Sequence, residues 1–182
     1  MQTEIQRQAR RLSYVALGSN LGDSRRIILD AMLRLQNFSG LPILKSSLWR
    51  TSPVNCPPDS PPFVNAVAGL AARAGETPES LLEKLRKLEK EFGRQSQRIL
   101  NEPRPLDLDL IAFGTETRPA APKRSEGGNT PKLILPHPRA HLRRFVLQPL
   151  SEIAPELILP GQDKTVLQLL AELAGEETVT RL

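Results

Sequence analysis

Cysteine is nearly absent from this chain: Cys56 is its single thiol in 182 residues. One cysteine excludes an internal disulfide and leaves no second sulfur for a C-x-x-C metal site, which suits a reducing compartment. Aromatic residues are scarce too, at 4% of the composition. No hydrophobic run approaches the length that crosses a bilayer, so membrane insertion is not expected. The opening "MQTEIQRQARR" has no apolar segment of the secretory kind, and residues 1–12 read as a polar, disordered leader. A cytoplasmic location is the expectation. What remains is 39% hydrophobic and 25% charged, with 25 basic against 20 acidic residues and a net charge of +5. That balance fits one soluble domain over residues 13–182 with an anionic partner.

The chain opens with a strand–loop–helix unit. "SYVAL" (13–17) reads as a short buried strand, and Asp23 and Ser24 offer N-caps before Ile27, Ile28, Ala31, Met32 and Leu35 recur at helical spacing. "ILKSSLWRT" is β-prone, and beyond the proline-laden "SPVNCPPDSPP" comes a second strand, "FVNAVAGLA" (63–71). Thr77 caps and Pro78 opens a helix with one apolar stripe, Leu81, Leu82, Leu85, Leu88 and Phe92, and Gly93 stops it. A strand over 106–113 follows. The order is β-α-β-β-α-β, the ferredoxin-like α+β plan with C-terminal additions, whose helices should cover one sheet face. Residues 115–131, rich in proline, glycine and charge, predict a flexible excursion. Beyond it, "KLIL" predicts a short strand, and "LILP" (157–160) and "KTVLQLLAELA" predict a closing strand and a capped helix.

The chemistry concentrates in "EPRPLDLDL" (102–110). Leu106, Leu108 and Leu110 alternate with Asp107 and Asp109, so the leucines face a core and both carboxylates share the other face, their Cα atoms roughly 6.5 Å apart. A pair so placed can hold a divalent cation, although two aspartates on a solvated strand are also an ordinary polar face. Arg94, Arg98 and Arg104 lie upstream, and His137, Arg143 and Arg144 follow the excursion. Arginine forks bind phosphate oxygens, and carboxylate-held magnesium completes its shell with phosphates and water, so the set spells a polyphosphate. Singly, each arginine reads as a surface residue. No P-loop and no kinase glycine-rich loop is present, so nucleotide chemistry here needs another scaffold.

Together with "ALGSNLGD" (16–23), "WRTSPV" (49–54), "FVNAV" (63–67), "FGR" (92–94), "LPHPR" (135–139) and "RRFVLQPLSEIAPEL" (143–157), that segment resembles the 6-hydroxymethyl-7,8-dihydropterin pyrophosphokinases of folate biosynthesis. The resemblance implies transfer of diphosphate from ATP to a pterin alcohol, with two magnesium ions on Asp107 and Asp109. It implies triphosphate contacts for Arg94, Arg104, His137 and Arg143, an ATP contact for Leu110, and catalytic roles for Arg94, Arg104, Asp107 and Asp109. Phe63 and Phe145 would sandwich the pterin, with Asn65 and the backbone at Thr51 and Val54 on its edge. Relatives often carry a tryptophan where this chain has Asn101-Glu102-Pro103, and basic residues where it has Ser96 and Gln97. Arg94, opening a loop after Gly93, is expected to be recruited on closure, and Arg104, held between two prolines, to be preorganised. The expected partners are small molecules alone, with no nucleic acid or membrane, and the expected state is a monomer. A binding module for RNA shares the β-α-β-β-α-β plan, but it needs strand aromatics, and "FVNAVAGLA" supplies Phe63 only. A noncatalytic nucleotide sensor is the third reading.

Overall fold

The computed structural model describes residues 11–53, 56–95, 102–120, 133–174 and 178–182. Along the chain run β1 (Leu12–Ser19), α1 (Ser24–Leu35), β2 (Leu44–Lys45), β3 (Trp49–Thr51), β4 (Phe63–Ala71), α2 (Pro78–Glu91), β5 (Asp107–Phe113), α3 (Arg144–Ile153), α4 (Val166–Glu172) and β6 (Val179–Arg181). The strands form one antiparallel sheet in the order β5-β1-β4-β3-β6, and β2 pairs with β4 beside β3. The first four of that series give the ferredoxin-like arrangement expected from the sequence.

Local chemistry starts both long helices. The Asp23 carboxylate accepts from the Arg26 N–H at the start of α1, and Thr77 and Ser80 close a reciprocal capping box on α2. Ile28, Ala31, Met32 and Leu35 of α1 and Leu81, Leu85 and Leu88 of α2 pack on Val15, Leu17, Val64, Ala66, Leu108 and Leu110. This is the sheet face the sequence assigns to helices. The second face is covered as well: Val146, Leu147 and Leu150 of α3 and Val166 of α4 pack on Tyr14, Val67, Ile111 and Ala112. The C-terminal helices stop short of one end of that face, where β1 finishes and β4 and β5 begin.

Four expectations change. Leu12, placed in the leader, is the first residue of β1 and pairs with Ala71; residues 1–10 lie outside the described chain. Arg118 and Leu135 exchange both backbone hydrogen bonds, at 2.9 and 3.0 Å, and the Arg118 side chain pairs with Glu79 and Glu116. The base of the excursion is therefore tied down at Arg118, residues 121–132 lie outside the described chain, and of the expected "KLIL" strand the described residues 133–135 show only that bridge at Leu135. "LILP" is not a strand. Leu157 and Leu159 are buried with α3 and α4, but the Leu157 carbonyl accepts from Val166 N–H at 2.8 Å, which ties the start of α4 back to this loop. The closing strand is β6 instead, which extends the sheet from β3.

Candidate active site

Strand register assembles the site. Gly18 of β1 stands opposite Asp107 of β5 on one side and Asn65 of β4 on the other, Ala16 stands opposite Asp109, and Phe63 stands opposite Thr51 of β3. Residues from four strands thus share the uncovered end of one face, with neighbouring strands about 4.8 Å apart. Gly18 is its floor: a Cβ there would lie 3.1 Å from Asn65 Oδ1, 3.8 Å from Phe63 Cδ1 and 3.9 Å from the Asp107 Cβ. Above it opens a cavity of about 260 Å³, walled by Phe63, Phe145, Thr51, Asn65, Asp107 and Asp109 and rimmed by Arg104, Arg139, Leu142 and Arg143. A second groove of about 180 Å³ is lined by Leu21, Gly93, Arg94, Glu102 and Arg104.

Asp107 is the hub of the charges. Its Oδ1 receives Arg94 Nη1 at 2.6 Å and its Oδ2 receives Arg104 Nη2 at 2.6 Å. Asp109 lies 3.6 Å from Arg143 Nη1 and 4.0 Å from His137 Nε2. Enclosure in the cleft raises the Asp109 pKa and the Asp107 carboxylate adds to it, against the pull of His137, Arg143 and Arg104. Burial lowers the pKa of His137, with Asp109 opposing. The Arg139 backbone N–H donates to His137 Nδ1 at 3.3 Å, so the neutral ring carries its proton on Nε2, on the side of Asp109.

The cations also face the aromatics. The Arg104 guanidinium carbon lies 5.5 Å from the centre of the Phe63 ring and that of Arg143 lies 5.3 Å from Phe145, both in cation–π range. Asn65 Nδ2 donates to Thr51 Oγ1 at 2.7 Å, which fixes the amide and turns its Oδ1 toward the space over Gly18.

Most of the expected site residues converge here. Asp107, Asp109, Arg104, Arg143, Phe63, Phe145, Thr51 and Asn65 line the one cavity, His137 joins it through Asp109, and Arg94 through Asp107. Thr51 contributes a side-chain hydroxyl where only its backbone was expected. Leu110 is different: its side chain is buried between the sheet and α1 and α2, which leaves only its main chain available to a nucleotide. Val54, Arg98 and the Asn101 position lie outside the described residues. Arg94 is already held at the cleft by Glu89 and Asp107, as Arg104 is by Asp107, and the loop that follows it, 96–101, lies outside the described residues.

Three contributors carried no charge pattern or period to reveal them. Gly18 matters through its missing side chain. Asn20, almost wholly buried, accepts from the Arg104 N–H at 2.9 Å and returns its own N–H to the Arg104 carbonyl at 3.2 Å. Glu89 sits on the apolar side of α2 and reads in the sequence as one more surface charge. Burial raises its pKa from 4.5 to about 7, opposed by the Leu108 N–H and Arg94. Because the folded protein holds this proton where the unfolded chain releases it, the associated stability is complete below about pH 4.5 and is lost as pH rises through about 7. Urea denaturation should show that loss in the wild type between pH 5 and 8 and a flatter profile in Glu89→Gln; parallel profiles would refute the assignment.

The family model for 7,8-dihydro-6-hydroxymethylpterin-pyrophosphokinase (HPPK) matches residues 14–155. The chain is 32% identical over 168 residues to the 2-amino-4-hydroxy-6-hydroxymethyldihydropteridine pyrophosphokinase of Haemophilus influenzae, covering 92% of this chain and 96% of that one. With the Pseudomonas aeruginosa protein of the same name it shares 39% over 150 residues, covering 81% and 83%. It also shares 37% over 147 residues with the folic acid synthesis protein fol1 of Pneumocystis carinii, where it spans 81% of itself but only 18% of that longer protein. Among solved structures, a Plasmodium falciparum HPPK-DHPS superposes with a TM-score of 0.68 at 15% identity, over 88% of this chain and 43% of the other, a likeness of fold. By its sequence over most of its length, and with a ferredoxin-like sheet that gathers the matched motifs at one end, this chain belongs to the 7,8-dihydro-6-hydroxymethylpterin-pyrophosphokinase family.

Proposed function

We propose that the chain transfers the terminal diphosphate of ATP to the hydroxymethyl oxygen of 6-hydroxymethyl-7,8-dihydropterin, a step of folate biosynthesis. The observation that carries this reading is one cavity in which an aspartate pair framed by arginines adjoins an aromatic slot with a fixed amide on its floor. In the reaction, the substrate hydroxyl oxygen forms a bond to the β-phosphorus while the bond from that phosphorus to the α–β bridging oxygen breaks. AMP leaves with the bridging oxygen, the pterin keeps the β- and γ-phosphates, and the hydroxyl proton departs, with Asp109 as its candidate acceptor.

Each residue has a part in this. Phe63 and Phe145 offer faces to a flat heterocycle, and Asn65 offers its edge a hydrogen-bond acceptor. Arg94, Arg104 and Arg143 present guanidinium forks to a triphosphate, where such donors neutralise charge as the leaving oxygen departs. His137, neutral and protonated on Nε2, adds a donor. The carboxylates suit a hard cation: Asp107 and Asp109 stand on one strand face, and no group of three His, Cys, Asp or Glu is gathered among the described residues, so phosphate and water oxygens would complete the shell. Two magnesium ions held there would neutralise the phosphates and orient the β-phosphorus.

The RNA-binding reading loses support, because α3 and α4 cover most of the sheet face that such a module leaves open for bases. We read the enzyme as a cytoplasmic monomer; no helix among the described residues is long and apolar enough to cross a membrane. The direct test is incubation with ATP, magnesium and the pterin alcohol. AMP in step with pterin consumption is expected, whereas ADP, or no nucleotide product, would overturn the proposal in favour of another kinase chemistry or a sensor. Because Arg104 and Arg143 each touch both a ring and a carboxylate, the two subsites are mechanically joined. Pterin affinity measured by calorimetry should therefore rise at least fivefold with a nonhydrolysable ATP analogue present. Equal affinities would refute the coupling.

A further inference from the structure

Helix α2 ends in a Schellman motif that the active site uses. Gly93 adopts φ +88°, its N–H bonds to the Lys90 carbonyl at 2.9 Å, and the Arg94 N–H reaches back to the Glu89 carbonyl at 3.0 Å. That pattern makes Glu89 and Arg94 the pair of positions that such a helix end brings together, a place usually taken by two apolar residues. Here it holds an ion pair between the Glu89 carboxylate and the Arg94 guanidinium. The same Glu89 oxygen, Oε1, accepts the backbone N–H of Leu108 at 2.7 Å. Leu108 lies between Asp107 and Asp109, and β5 is the edge strand of the sheet. A buried edge-strand amide must find an acceptor, and Glu89 is one, although it is only 7% exposed and belongs to the opposite side of the sheet from the cavity.

We propose that Glu89 is a positioning residue: through Leu108 it fixes the strand segment that carries both aspartates, and through Arg94 it keeps one phosphate-binding cation in the cleft. Its second task matters when Asp107 exchanges partners. Arg94 is held by two carboxylates, so an Asp107 that turns to a cation leaves Arg94 still anchored and still aimed at the cleft. This rests on the phosphotransfer reading above, in which Arg94 meets phosphate.

The two tasks separate by substitution. At pH 8, above the Glu89 pKa of about 7, Glu89→Gln keeps a carbonyl acceptor for Leu108 but loses the charge that holds Arg94; Glu89→Ala loses both. In Glu89→Gln, hydrogen exchange at the Leu108 amide should stay within about tenfold of wild type, pterin affinity should stay within twofold, and single-turnover AMP formation should slow by about 10- to 100-fold. In Glu89→Ala, the Leu108 amide should also lose its protection. The decisive comparison is the double variant Glu89→Gln/Arg94→Ala, which should be no slower than Arg94→Ala alone, because the charge acts through that arginine. Wild-type turnover in Glu89→Gln, or losses that multiply in the double variant, would overturn the proposal. If the wild type itself forms no AMP, the phosphotransfer reading fails instead, and the same four-protein cycle is read on affinity for the ATP analogue, where independent effects would overturn the positioning role.

Discussion

Asp107→Asn is expected to lower kcat by about 10³-fold, close to 4 kcal/mol of transition-state stabilisation, with little change in thermal stability. The side chain is nearly isosteric and its amide oxygen still accepts from one guanidinium, while Arg94 keeps Glu89, and Arg104 keeps the Glu102 carbonyl at 3.2 Å and the face of Phe63. What disappears is the carboxylate that organises two arginines and offers oxygen to a cation. Asp109→Asn should cost a comparable factor in turnover but act more locally, since among the described residues its ion pairs are with Arg143 at 3.6 Å and His137 at 4.0 Å. Steady-state kinetics paired with thermal unfolding decides the matter. A variant that keeps wild-type turnover refutes the catalytic assignment, and one that unfolds early while retaining kcat per folded molecule marks a structural aspartate.

Divalent cation should bind about 100-fold more tightly when a nonhydrolysable ATP analogue occupies the site. Both oxygens of Asp107 are engaged by arginines, so a cation arriving by itself must break ion pairs of 2.6 Å while gaining only two carboxylates. A triphosphate changes both terms, because its oxygens take the guanidinium groups and also enter the cation's shell. The exchange keeps every charge in the cleft paired, and carboxylate-poor magnesium sites work in this way. By reciprocity the analogue should bind tighter by the same factor when the cation is present. Calorimetric titration of Mn²⁺ with and without analogue, corrected for cation binding to free analogue, gives the number. Equal affinities would mean that the arginines do not compete for Asp107.

The altered role of Arg94 shows where reading a linear chain stops. Gly93 marks the helix end in the sequence, and a loop opening there suggests a side chain recruited late. That inference misses the geometry of the stop itself, which folds Arg94 back onto Glu89. Removing Arg94 is accordingly expected to weaken ATP binding as well as turnover, as for Arg104.

Alternating leucines and aspartates determined β5 and put both carboxylates on one face, because a strand's side chains alternate whatever surrounds it. Spacing and caps likewise determined α1 and α2, whose apolar stripes need a sheet to cover. The motifs, through their resemblance to a family, named the arginines, the histidine and the aromatic pair. Tertiary structure alone decided the rest. Strand order made Gly18 the floor between Asp107 and Asn65, since a missing side chain matters only once its neighbours are known. The packing of α3 and α4 closed most of the second face and left one end as a cavity, which no local period records. Glu89 became part of the site because the end of α2 meets the outer edge of β5. An orphan amide there needs an acceptor, and the sequence gives no sign of that need until the strand is placed at the edge.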